Sequence, residues 1–523
     1  MAEWGFYGRR AELAEIDRIL ARRRFFFCAI SGRRRIGKTS LIQQAIERRG
    51  LRDKAVYVQI PDSDERGVVQ AFEDAVEDVA PSQTLARRHC HDFQSIADTL
   101  RLFWDTGWIV AIDEFQYLHR KALSEFQSYL QAKVDRTRRS NTANGGLFTL
   151  GSIHTDMTAI LEDRNSPLFN RVTDRIEIGH WDFETLFEMF RAHGVVRRYH
   201  QLFLWALFEG VPKFYRDCFD QGVLHDSRDY RSSTLRRMFF EGSSPLKDEA
   251  DNWFLRELRG RYDTVLTLLA RGGPLSHGRL KDEYDRTGPA QENQLAGYLK
   301  ALIEKYGMVE RLQPILSSEK QRNARHAIAD NFLNAWLGTI QRNVRLARIR
   351  PVDETVSKAE EALKTQEGFA FEKMIRQIMQ ECSRKGVGDF PLTKMVSGYW
   401  NKADGSDIEI DVVAINETDR RIRFGSCKQS ASAHDGASLK AFAEHVDRFL
   451  LTKTGAPYSD WSIERALYAP VFSQAQRLDL SAKDYVCVDL ADFERVPSRI
   501  VLEFDCASSG FTMLSDQAAR SMV

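Results

Sequence analysis

Gly32-Arg33-Arg34-Arg35-Ile36-Gly37-Lys38-Thr39 fits the spacing GxxxxGK[ST], and its flanks decide the fold. Before it, Phe25-Phe26-Phe27-Cys28-Ala29-Ile30 is a short apolar run of the kind a buried parallel strand needs, and after it residues 40–47 read as a helix. Strand, loop and helix in that order make a phosphate cradle. Gly32 and Gly37 let the backbone curl so that successive N–H groups and the helix N-terminus point at phosphate oxygens. The loop from Gly32 through Arg33, Arg34, Arg35 and Ile36 to Ser40 is therefore expected to wrap a nucleotide. Lys38 is expected to reach the β- and γ-phosphates, and the Thr39 hydroxyl to bind Mg²⁺. A glycine-punctuated basic turn would carry similar letters without the strand and helix around them.

Outward from this loop, Phe6-Tyr7-Gly8-Arg9-Arg10-Ala11-Glu12-Leu13 leads into Ile16, Ile19 and Leu20 at helical spacing. Residues 55–60 form a second strand candidate and 69–79 a second helix, so a βαβ alternation has begun. Trp108-Ile109-Val110-Ala111-Ile112-Asp113-Glu114 is an apolar strand ending in two carboxylates. Opposite a phosphate loop, Asp113 would hold Mg²⁺ through water and Glu114 would orient the attacking water. A third strand, residues 146–152, ends in Ser152, readable as a γ-phosphate sensor or as a helix N-cap. Ser166-Pro167-Leu168-Phe169-Asn170-Arg171 puts Arg171 on a loop, as a surface residue or as an arginine acting on γ-phosphate in its own or a neighbouring subunit.

From His180 the pattern turns helical and reaches Glu209-Gly210-Val211-Pro212, chiefly a turn between helices. Helices at 262–269, 277–284 and 291–305, then extended pieces at 308–311 and 324–329, read as a winged helix. Its third helix offers Gln291, Asn293 and Lys300 but also Glu292 and Glu304, which favours a protein contact over groove reading. Around Pro351 charge rises and periodicity weakens, so residues 346–365 are expected to be a linker. Beyond it the order is αβββαβ, with a helix at 367–382, strands at 395–400, 408–415 and 421–428, a helix at 439–451 and a strand at 465–469, and a further strand follows at 485–490. Asp407, Glu409 and Asp411 alternate along one strand and Ser426 and Lys428 along the next. If they face one side, carboxylates and an ammonium converge as metal-assisted phosphodiester cleavage requires; otherwise they are a solvated charged face.

Composition bounds these readings. The 523 residues are 43% apolar and 28% charged, which suits about three globular domains, and 75 Lys and Arg nearly balance 74 Asp and Glu. Any nucleic-acid surface must therefore be local. Seven scattered cysteines without a CxxC pair argue against a zinc ribbon or disulfide framework and for a reducing cytoplasm. Neither a signal peptide nor an apolar run of membrane-spanning length is expected.

Nearly the whole chain resembles the archaeal-type ATPase family, a branch of the AAA+ and signal-transduction ATPases. The residues carrying the resemblance are Phe6 to Arg10 with Glu12-Leu13, Gly32 to Ser40, Asp113-Glu114, Leu150-Gly151-Ser152, Pro167 to Arg171, Ala329-Asp330-Asn331-Phe332-Leu333 and Gly368-Phe369-Ala370-Phe371-Glu372. The resemblance implies an α/β fold: a P-loop NTPase parallel sheet (1–180) with a helical lid (181–255), a winged helix (256–345), and, after the linker, a small α/β restriction-endonuclease-like domain (366–505) and a tail (506–523). It implies that Pro212, in a Gly-x-Pro of the lid, touches nucleotide. It also places the second-strand acid of the PD-(D/E)xK pattern on Asp411, its lysine on Lys428 and its helix glutamate on Glu372, with ATP and Mg²⁺ as cofactors. Where the pattern has an acid two residues before the lysine, this chain has Ser426. Either Glu409 or Asp407 supplies the missing charge, or the domain has kept the fold and lost cleavage. Two readings follow. ATP hydrolysis gates a nuclease acting on DNA or RNA in a defence setting, or the protein is an ATP-driven switch with a nuclease-like recognition platform. A homo-oligomer or protein partner is compatible with both.

Overall fold

The computed structural model describes residues 3–79, 90–140, 142–152, 154–247, 258, 261–288, 294–317 and 323–495. The chain forms two compact units, one of Glu3–Trp181 with Val211–Arg216, the other of Asp182–Gly210 and the chain from Asp217 onward.

The first unit is built on strands β1 (Phe26–Gly32), β2 (Ala55–Gln59), β3 (Ile109–Asp113), β4 (Gly146–Gly151) and β5 (Asp174–Ile178), all parallel, in the order β2-β3-β4-β1-β5. Every residue of β3 and β4 is buried, as strands covered on both faces require, which is why they read as unbroken apolar runs. One core packs Phe27, Val110, Ile112 and Leu147 against the helices Glu65–Val79, Phe93–Asp105 and Glu125–Ser140. The other packs Cys28, Ile30, Ala111 and Phe148 against Arg10–Ala21 and Lys38–Arg48. Parallel pairing brings the carboxyl ends of β1 and β3 to one edge of the sheet, where doubly wound folds bind ligands. β5 was not foreseen: as an edge strand it buries only Ile176 and Ile178.

In the second unit, helices Phe183–Ala192 and Arg198–Phe208 precede three helices, Tyr262–Gly272, His277–Arg286 and Gln294–Glu304. These accompany an antiparallel sheet of β6 (Leu275–Ser276), β7 (Val309–Leu312) and β8 (Arg325–Ile328), ordered β6-β8-β7. The expected linker at 346–365 is corrected: most of it belongs to one 33-residue helix, Val352–Arg384. Val356, Ala359, Leu363, Ala370, Met374 and Ile378 keep a buried stripe along it, which the charged residues between them dilute in the sequence.

That helix leads into a mixed sheet of β9 (Ser397–Trp400), β10 (Glu409–Asn416), β11 (Arg421–Cys427), β12 (Ser462–Tyr468) and β13 (Tyr485–Val488). The order is β13-β12-β11-β10-β9, antiparallel from β9 to β11 and parallel from β11 to β13. Helix Gly436–Leu451 contributes Leu439, Phe442, Val446 and Phe449 to the core shared with Ile410, Val413 and Phe424. The αβββαβ order stands, with an added helix at Gln474–Ser481. The tail 506–523, Gln291, Glu292 and Asn293 lie outside the described residues. Among the described residues no helix is long and apolar enough to cross a membrane.

Candidate nucleotide and carboxylate sites

β1 ends at Gly32, where a Cβ would stand 2.6 Å from the Ile178 carbonyl oxygen, so only glycine fits. Gly37, at φ 93°, caps the helix Lys38–Arg48 in a conformation few other residues accept. Lys38 is buried, and its ammonium donates to the Gly32 and Arg33 carbonyls at 2.9 and 3.1 Å. Burial pushes it below the usual lysine range, against the pull of Asp113 and Glu114. Ile36 is buried, Arg33 and Arg35 are half-buried, and Arg34 and Ser40 are exposed. Arg9, which sequence reasoning did not assign to the site, donates to the Ile36 carbonyl at 3.0 Å and to the Glu12 carboxylate at 3.0 Å, clamping the loop from beneath.

Asp113 is 6% exposed and fully engaged. One carboxylate oxygen accepts the Thr39 hydroxyl at 2.6 Å and the Tyr57 hydroxyl at 2.6 Å, and the other accepts the Glu114 N–H at 2.8 Å. Tyr57, on β2, was also missed; its only sequence signal was a polar tip within an apolar strand. Hydroxyl and carboxylate thus meet, and their oxygen chemistry suits a hard divalent cation.

Glu114 sits in the left-handed region at φ 53° and ψ 36°, a strained conformation for a non-glycine residue of the kind functional sites retain. Its carboxylate accepts from the Gln116 amide, which also donates to the Ser152 hydroxyl at 3.2 Å. The Ser152 N–H donates to Gln116 at 3.3 Å, and its hydroxyl lies 3.5 Å from the Glu114 carboxylate. Ser152 is therefore tied to Glu114 through Gln116, a residue the sequence reading passed over.

Arg171 makes a two-pronged ion pair with Asp135, at 3.1 and 3.0 Å, and donates to the Phe169 carbonyl at 2.7 Å. Pro212 begins the helix Pro212–Asp220, and Val211–Arg216 clusters with the first unit, where Tyr215 stacks on Trp181 at 6.0 Å.

In the second unit, Glu372 projects from the long helix beside Arg376, whose guanidinium lies 3.5 Å from it and donates to the Asp411 backbone carbonyl at 2.9 Å. The β9–β10 register shifts between Ile410 and Val413, a bulge next to Asp411. The Asp411 carboxylate accepts the Cys427 N–H from β11 at 2.8 Å. Burial and the neighbouring Asp411 push the Glu372 carboxyl well above the usual range, while Arg376 and Lys428 oppose the shift. Burial likewise raises Asp411. The oxygens of these two carboxylates are donors suited to a divalent cation.

Ser426 is buried, and Lys428 is half-buried just past the end of β11. Asp407 is corrected: it precedes β10, is exposed and pairs with Lys402 at 2.5 Å, so it does not join this cluster. Glu372, Glu409 and Asp411 line a cavity of about 510 Å³ whose other walls include Glu310, Leu312 and Arg325 of β7 and β8.

Residues 6–199 match a family described as an ATPase domain predominantly from Archaea, and residues 336–439 match one described as archaeal and bacterial proteins of unknown function. An uncharacterized protein of Methanocaldococcus jannaschii, MJECL04, is 26% identical over 430 residues, covering 81% of this chain and 87% of that one. Among solved structures, the Walker-type ATPase PABY2304 of Pyrococcus abyssi is 17% identical, with a TM-score of 0.48, covering 64% of this chain and 96% of its own. The Aeropyrum pernix ORC2 protein is 16% identical, with a TM-score of 0.48, covering 67% and 96%.

Proposed function

The chain is a member of the archaeal-type ATPase family, and we propose that it binds and hydrolyses ATP with Mg²⁺ and couples this to a carboxylate site in its C-terminal domain. The contact carrying the first half is Thr39 with Asp113. When bound, Mg²⁺ neutralises phosphate charge; Lys38 turns from its own loop carbonyls to the phosphates, and the loop amides hold them in place. Glu114, oriented by Gln116 and Ser152, positions the attacking water. Arg171 is a candidate for γ-phosphate charge once it leaves Asp135, and Pro212 for contact with nucleotide. ATP turnover by the purified protein, absent in Glu114→Gln, tests this half.

For the second half, we read 256–345 as a winged helix and the mixed sheet with its two helices as a restriction-endonuclease-like domain that meets DNA or RNA. Glu372 and Asp411 would hold a divalent cation, and Lys428 would position or activate water. Ser426 favours the alternative in which the domain recognises nucleic acid or protein without cutting efficiently. Nuclease assays with Mg²⁺ and Mn²⁺ on the native protein and Lys428→Ala separate the two.

A further inference from the structure

Within the second unit, the module carrying β6 to β8 is fastened to β9 and to the turn after it. The Ile315 N–H donates to the Gly398 carbonyl at 2.9 Å, the Ser397 hydroxyl to Gln313 at 3.1 Å, and the Trp400 indole to Asn323 at 2.6 Å. The Ser276 hydroxyl donates to Asp404. Arg325 of β8 completes the attachment. Its guanidinium lies 4.8 Å above the Trp400 ring, donates to the Ala403 carbonyl at 3.0 Å and pairs with Glu409 at 2.7 Å. Arg325 is only 17% exposed at its side chain, whereas Glu409 is 49% exposed. The arginine is thus fixed by stacking and a backbone contact, and the glutamate is the movable partner.

Glu409 is two residues from Asp411 and lines the same cavity as Asp411 and Glu372. It is also the remaining acid that could replace the one lost at Ser426, since Asp407 lies outside the cluster.

We propose that Arg325 is a latch. It holds Glu409 in an ion pair, and once that pair is released Glu409 turns to Glu372 and Asp411 and completes a divalent-cation site that Ser426 leaves short of charge. The proposal rests on the metal-site reading of the previous subsection and adds its regulation. Removing the latch adds one free carboxylate to a site that has two, the change in donor charge that tunes affinity in oxygen-ligand sites.

The test is Mn²⁺ binding to the nucleotide-free full chain, measured by titration calorimetry and by the loss of the free-ion paramagnetic resonance signal. Arg325→Ala is expected to tighten Mn²⁺ binding about tenfold. Adding Glu409→Gln should cancel that gain, and adding Asp411→Asn should abolish binding. Arg325→Gln, which keeps most of the side-chain volume over Trp400, should tighten binding in the same direction if Arg325→Ala folds poorly. A gain that survives Glu409→Gln would mean the arginine acts only through its field, and would overturn the latch. Tightening by Ser426→Glu but by neither Arg325 variant would also overturn the latch while leaving the metal site standing. No Asp411-dependent binding in any of these variants would remove the metal site, and the latch with it.

Discussion

Thr39 and Asp113, 74 residues apart in the chain, share a 2.6 Å hydrogen bond that joins the phosphate loop to the acidic end of β3. Tyr57 donates to the same carboxylate oxygen, so that buried oxygen is satisfied from one strand and one helix. Tyr57→Phe would leave that oxygen with one donor fewer. A loss of about 1–3 kcal/mol in unfolding free energy is expected, with a few-fold loss of Mg·ATP affinity. Denaturant unfolding and nucleotide titration would check both, and unchanged values would take Tyr57 out of the site.

Arg171 must give up Asp135 before it can act on a phosphate. Arg171→Ala is therefore expected to lower the ATPase rate at least tenfold with nucleotide affinity nearly intact, and Asp135→Asn to spare or raise it. Specific activity that climbs with protein concentration would place the arginine on a neighbouring subunit. Equal rates in native protein and Arg171→Ala would leave it a structural ion pair.

Glu372 carries the clearest pH prediction. Burial and Asp411 raise it from 4.5 to about 8, so between those values the folded protein keeps a proton that the unfolded chain has lost. Metal-free stability should then fall as pH rises through that window, with Asp411 and Glu409 enlarging the total fall and Arg376 and Lys428 reducing it. Glu381, raised to about 7 by burial, adds a fall of its own, so the informative quantity is the difference between native protein and Glu372→Gln. The variant should lose less melting temperature across the window. A divalent cation added at the upper end should restore the native protein and not the variant.

Much of this was legible in the sequence, and the failures have physical reasons. β1, β3 and β4 are buried on both faces and announce themselves as apolar runs. β5 buries only two side chains, and without its partner β1 nothing marks Asp174–Ile178 as a strand. The long helix was half hidden because its first turns bury single residues among charged ones. In the sites, Lys38, Thr39, Asp113 and Glu114 follow from spacing. Arg9, Tyr57 and Gln116 do not, because Arg9 reaches Ile36, Tyr57 reaches Asp113 and Gln116 reaches Ser152 only when distant segments fold together. Asp407 was misplaced because it lies before β10, where strand alternation does not apply.

Ser426 sets the expected behaviour of the C-terminal domain. Native protein should cleave nucleic acid slowly with Mg²⁺ and faster with Mn²⁺, which binds carboxylate sites more tightly. Ser426→Glu is expected to raise cleavage, and Asp411→Ala to erase the gain. Efficient native cleavage that survives both Asp411→Ala and Lys428→Ala would put the catalytic centre elsewhere.

We propose that the loop at Gly32 and the acids Asp113 and Glu114 at the end of β3 form one working ATPase site. Its most direct test is ATP binding and steady-state hydrolysis measured side by side on native protein, Lys38→Ala and Glu114→Gln. Lys38→Ala is expected to lose tight ATP binding, while Glu114→Gln keeps ATP and loses at least about a hundredfold in turnover. Native rates of hydrolysis in both variants would contradict it.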